Sequence, residues 1–336
     1  MLIIYSIYIT CRLLLLFLLL LFFNYYEMDA IVKFEGKVLE KFLDVISNGI
    51  GTLYRPRAIR KEADAKAYAI RTIANAKNEA IAEGHLMEAE TLSRINERLV
   101  GKEKERQNNI DEVVEAAAGD LQKEKVVSDE PVNKDWATRF FNIVQDVSDS
   151  DMKQLWAKVL AGEVKSPCSY SLRTLELLRN LSKQEAELFL KVSQLVLKER
   201  EYLIFKTANN DLSKFGISYL DIAKLIEIGL IQAGTFVSLN YESSSSRDKH
   251  VFFMYNNKIL LRLNIPKESA KISFPVHLLT QSGKELYQLV SVNPNMDYLK
   301  EVASSLKGKS AYFEYNIISD IDKDGNLQVS VPAIRL

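Results

Sequence analysis

Residues Leu2 to Phe23 are apolar almost without a break, and Arg12 is the only charge among them. About 20 such residues are enough to cross a bilayer core as one helix, because a helix satisfies all its backbone hydrogen bonds internally. A cleavable signal peptide needs a basic start and a small-residue cleavage site. This chain begins Met1 to Ser6 without Lys or Arg, and the run ends in Asn24-Tyr25-Tyr26-Glu27. The expectation is therefore a transmembrane helix over residues 1–27, with Tyr25 and Tyr26 at headgroup level. The basic residues Arg55, Arg57, Arg60 and Lys61 lie downstream, facing lipid headgroups in this reading. By the positive-inside rule they keep the C-terminal portion cytoplasmic. The competing reading starts the protein at Met28 and leaves it cytoplasmic without an anchor.

Past the run, Phe34, Val38, Phe42, Val45, Ile46 and Ile50 recur at three- and four-residue steps. That spacing puts them on one face of an amphipathic helix over 28–54, packed on a partner helix or lying on a membrane. Residues 55–122 form a long Ala/Lys/Glu-rich helical segment. Its stripe of Ile59, Ala63, Ala67, Ile70, Ala74 and Ile81 is too small-sided to hold a lone helix in water. A protein partner or self-association through residues 56–108, in the manner of a coiled coil, is expected. Residues 134–200 read as a helical bundle anchored by Trp136 and Trp156, with Gly162 as a helix stop and Ser182 and Glu185 as a capping box.

Residues 203–336 change period. A helix near Tyr219 to Ile231 precedes strands at 236–241, 251–255 and 259–265, with Asn256-Asn257 as a hairpin turn. Helix, strand and strand close the chain, which suggests an α+β module of winged-helix-like layout. DNA reading would need bases on the recognition helix, yet Lys224 stands there against Asp221 and Glu227. The fold class predicted is mainly α with a C-terminal α+β module, and nucleic acid is not an expected partner.

Chemistry is sparse. The three histidines, His85, His250 and His277, lie in distant segments without metal-ligand spacing. No phosphate loop, dinucleotide fingerprint or nucleophile elbow is present. Asp146, Asp149, Asp151 and Glu163 are better explained by helix starts than by a metal. Asp320, Asp322 and Asp324 copy the first half of a calcium loop, but Val331 stands where its last ligand should be. A hairpin turn explains them better. No cofactor, no small-molecule substrate and no enzyme activity are expected.

The segments Arg106-Gln107-Asn108-Asn109-Ile110, Lys134-Asp135-Trp136, Met152 to Glu163 (MKQLWAKVLAGE) and Ser166-Pro167 with Tyr170-Ser171 resemble one bacterial family. That family is known as domain of unknown function 2806, and the resemblance covers about residues 49–196. Cys168 departs from it, since the resemblance implies Gly after Pro167. The family brings no activity or catalytic residue with it. In outline the architecture is also similar to membrane-linked abortive-infection proteins. The leading expectation is an inner-membrane bacterial protein acting through protein–protein contacts, as sensor or adaptor in phage defence. The alternative is a winged-helix DNA-binding regulator starting at Met28.

Overall fold

The computed structural model describes residues 37–50, 72, 75, 76, 78, 86–122, 127–207, 212–234, 237–242, 249–266, 271–307, 311–321 and 327–336. The chain divides into two compact units, residues 1–172 and 173–336.

In the first unit, α1 (Lys37–Ile50) buries Phe42, Val45 and Ile46. It packs on α3 (Lys134–Val144), which buries Trp136, Phe140, Phe141 and Val144. The approach is close: a Cβ added to Gly49 would sit 2.1 Å from the Phe141 ring. The amphipathic face is thus covered by protein. Helix α2 (Leu86–Leu121) is 36 residues long, and its C-terminal half buries Ile110, Val113, Val114, Ala117 and Leu121. Its partner is α4 (Ser150–Lys165). Asn133 caps α3 and Asp149 caps α4, each side chain accepting from two backbone N–H groups.

Gly162 does not stop α4, which continues to Lys165. The glycine is there because the Tyr170 ring lies on it, 2.8 Å from where a Cβ would be. A tertiary contact, not a helix end, requires the missing side chain.

The second unit opens with α5 (Leu172–Asn180) and α6 (Lys183–Ser193), the latter carrying a complete capping box from Ser182 and Glu185. The chain then enters β1 (Leu197–Lys198) and β2 (Tyr202–Phe205). A 3-10 turn (Ser213–Phe215) leads to α7 (Tyr219–Glu227). Strands β3 (Ser238–Tyr241), β4 (Lys249–Tyr255), β5 (Ile259–Pro266) and β6 (Ile272–Leu278) follow. Helices α8 (Gln281–Tyr287) and α9 (Met296–Ser304) precede β7 (Tyr312–Ile321), β8 (Leu327–Val329) and β9 (Ile334–Arg335).

The strands make one nine-stranded sheet in the order β3-β6-β2-β1-β4-β5-β7-β8, with β9 also on β7. All the pairings are antiparallel. One face is a dry layer. Phe205, Phe274 and Phe313 stack ring to ring at 5.1–6.3 Å, and the buried Tyr298 of α9 donates to the Phe205 carbonyl at 3.0 Å. Asn256 holds the β4–β5 hairpin by accepting from the Lys258 and Ile259 amides.

Two expectations are corrected here. The winged-helix-like, mainly α class gives way to an antiparallel sheet, because the β4–β5 hairpin lies between β1 and β7 instead of standing free as a wing. Core residues Met254, Leu261, Leu263 and Phe313 on adjacent strands explain why it is taken inside. The transmembrane helix and the inner-membrane localisation are not upheld either. No helix among the described residues is long and apolar enough to cross a membrane. The run at 1–27 lies outside the described residues, as do all six residues of the Ile/Ala stripe and most of the helical segment between 55 and 85.

Candidate functional site

The motif residues of the first unit form a framework. Arg106 on α2 grips Asp146 through two parallel bonds, Nε to Oδ1 at 2.8 Å and Nη2 to Oδ2 at 3.2 Å. This pairing raises the guanidinium pKa. One turn on, Asn109 donates to the Gln145 carbonyl at 2.9 Å, so α2 fastens the turn between α3 and α4 from two positions. Glu163 is buried, and its oxygens accept from the Cys168 amide at 2.8 Å and the Tyr170 amide at 3.0 Å. The Tyr170 carbonyl in turn accepts the Trp136 indole N–H at 2.7 Å. Trp156, also buried, meets Phe140 edge-on at 5.5 Å.

That loop explains the departure at Cys168. Its φ is 67°, the left-handed region where glycine is at ease and a side chain is strained.

In the second unit, α7 is set over the sheet by local chemistry. Ser218 and Asp221 form a capping box: the Asp221 carboxylate accepts from the Ser218 amide at 2.7 Å and from its hydroxyl at 2.8 Å. These bonds hold the Asp221 pKa below its ordinary value. At the far end Gly229 takes φ 83°, and the chain bridges from Ile231 to Leu279. Gly283 in α8 must be glycine, since a Cβ would sit 2.2 Å from the Leu230 carbonyl oxygen.

This arrangement leaves a hollow of about 110 Å³ beside α7. Its walls include Leu212, Ile217, Ile222 and Ile226, with Lys206 and His277 as polar members. His277 lies opposite Ile204 of β2 and is only 9% exposed. Its Nδ1 has no hydrogen-bond partner. Burial, helped by the nearby Lys206 charge, lowers the imidazole pKa to about 4, so the ring is neutral near pH 7. Tyr219 also lines the hollow, and it and Leu220, in the first turn of α7, are 77% and 74% exposed. The hollow is mainly apolar, with Tyr219 and Leu220 standing in water in the adjoining first turn of α7. Sequence reasoning did not single it out: a lone histidine carries no signal, and Tyr219 and Leu220 look like ordinary helix residues.

The other sequence candidates fall elsewhere. Arg55, Arg57, Arg60 and Lys61 lie outside the described residues, as do Asp322 and Asp324. Asp320 is exposed on β7, opposite Gln328 of β8. Among the described residues, no group of three or more His, Cys, Asp or Glu side chains is placed to hold a metal ion.

A helical unit followed by an α+β unit on a broad antiparallel sheet defines the class: a two-unit protein of helices and one antiparallel sheet. A family model matches residues 93–303, and the chain belongs to that family, described as protein of unknown function (DUF2806). The match runs well into the second unit, beyond the segment on which the resemblance rested. No curated protein and no solved structure matches the chain.

Proposed function

We propose that this protein acts by protein–protein contact, and that the hollow beside α7 receives an apolar side chain of its partner. The observation that supports it is Tyr219, 77% exposed and lining a hollow walled by Ile217, Ile222 and Ile226, with Leu220, 74% exposed, next to it in the first turn of α7. Neighbouring large apolar groups in water are unfavourable unless something covers them in use. A volume of about 110 Å³ suits one branched side chain and is well below the roughly 300 Å³ at which small-molecule sites begin. His277, neutral near pH 7, is a polar member of the hollow's wall. An adaptor or sensor role, with phage defence as its setting, is the biological form this proposal takes.

Duplex DNA reading by α7 has less support. Lys224, the only base on the helix, is paired with Glu185 at 3.5 Å. Self-association through α2 is a second reading, favoured by Ile95, Leu99 and Val100, which all stand exposed on its N-terminal half.

A photo-crosslinking residue at Tyr219 of the full chain, activated in the producing cells, tests the proposal. The expected result is one discrete adduct that Leu220→Asp abolishes. A smear no different from that of a probe at exposed Lys300 on α9 would count against a dedicated contact.

A further inference from the structure

The sheet of the second unit has a second face, and its register brings aromatic and cationic side chains together on it. Antiparallel partners point to the same side of a sheet. Lys198, Tyr255, Leu260 and Asn316 therefore form one row across β1, β4, β5 and β7. Phe253, Arg262, Glu314 and Arg335 form the next, and Val251, Asn264 and Tyr312 a third. This is the side opposite the Phe205–Phe274–Phe313 layer. Asn264 and Asn316 are buried, but the ring and cation members are open to water: Phe253 is 53% exposed, Arg335 is exposed, and Tyr255, Tyr312, Lys198 and Arg262 are half-buried.

The side chains are ordered relative to one another. The Lys198 ammonium lies 5.2 Å from the centre of the Tyr202 ring and 5.7 Å from that of Tyr255. The Arg335 guanidinium stacks on Tyr312 at 4.2 Å. Arg262 is braced by a bond to the Asn316 side-chain oxygen, and Asn316 by one to the Ser330 carbonyl. Asn264 donates to Glu314 at 3.0 Å. Three cations thus stand against one carboxylate on this face, two of them over the rings of Tyr202, Tyr255 and Tyr312.

We propose that this face binds single-stranded nucleic acid, its rings stacking bases and its cations pairing with phosphates. Flat rings accept any base, and cations held against rings keep their charge at the surface for the backbone. A duplex fits less well, because its bases are already stacked on one another and leave no free base face for the rings. A purely acidic peptide would pair with the cations but leave the Phe253 ring unused. The surface is distinct from the hollow at α7, so either proposal can fail alone.

Fluorescence anisotropy of the full chain with a labelled 15-nucleotide thymidine or uridine strand is the test. Binding should be detectable at 50 mM salt, weaken steeply by 200 mM, and be at least tenfold weaker for a duplex of the same length. Phe253→Ala should weaken it about tenfold or more. Arg335→Gln should shrink the salt dependence, since one phosphate contact is lost. Both residues are at the surface, and an unchanged melting temperature confirms that the variants fold. No binding at 50 mM salt would overturn the proposal. So would equal affinity for duplex, indifference to both substitutions, or capture of a polyglutamate peptide in place of the strand.

Discussion

The two units put their polar and aromatic residues to opposite uses. In the first, Arg106, Asn109, Glu163 and Trp136 turn inward or across helices, and each has its hydrogen-bond partner. In the second, Tyr219, Leu220 and Phe253 face water, and His277 is buried with an unpaired nitrogen. Satisfied polar groups hold a fold in one arrangement, whereas large side chains left in water are open to a partner. Motif density along the chain therefore marks where the fold is fastened, and the contact proposed at Tyr219 lies in the other unit.

The contrast can be broken most sharply at Trp136. Trp136→Ala removes a buried ring, its 5.1 Å stack on Phe140 and the bond to Tyr170. A loss of about 3–5 kcal/mol is expected in urea unfolding, with the crosslink at Tyr219 retained wherever the second unit stays folded.

Acid sharpens it next, through His277. Its folded pKa of about 4 lies below the ordinary 6.5, so between those values the unfolded chain binds the extra proton. Stability should therefore fall as pH drops from about 6.5 to about 4, with no further loss from this group below that. On the order of 3 kcal/mol is expected. Urea midpoints from pH 7 to 4 measure it, and His277→Gln should flatten the curve over that window. If the slope survives the substitution, another group is responsible. The carboxylates Asp221 and Glu185, lowered chiefly by backbone bonds from Ser218 and Ser182, act in a separate window. Their contribution is present above their unfolded values and is lost as pH falls through the lower folded ones.

The smallest effect is a gain. Cys168→Gly relieves a side chain held at φ 67° while keeping the amide bond to Glu163. Stability should rise by about 1 kcal/mol. A destabilised variant in the same urea assay would mean the Cys168 side chain contributes more than its backbone costs.

Local chemistry was legible in the sequence; long-range pairing was not. The Ser182 and Glu185 box, the turn at Asn256 and the helix over Met296–Ser304 are each decided by a few neighbouring residues. β1 and β2 are only 2 and 4 residues long, too short to show a period, and β6 carries Pro275, a residue that argues against an inner strand. Without those three strands the hairpin β4–β5 looks like a free wing. With them it lies within a wide sheet. Gly162 misled for a related reason, because the Tyr170 ring it accommodates arrives from outside its own helix. His277 becomes noticeable only when α7 crosses its strand and leaves Nδ1 unpaired.

On this reading the second unit makes the contacts while the first unit's motif holds structure. Adduct yield from a crosslinker at Tyr219, read beside the melting temperature in two backgrounds of the full chain, tests it most directly. Leu220→Asp should abolish the adduct and leave the melting temperature unchanged, because Leu220 is already in water. Glu163→Gln should lower the melting temperature, because a buried carboxylate that accepts two amides is weakened, and leave the adduct in place. An adduct that survives Leu220→Asp but disappears with Glu163→Gln at a temperature where both variants are folded would contradict it.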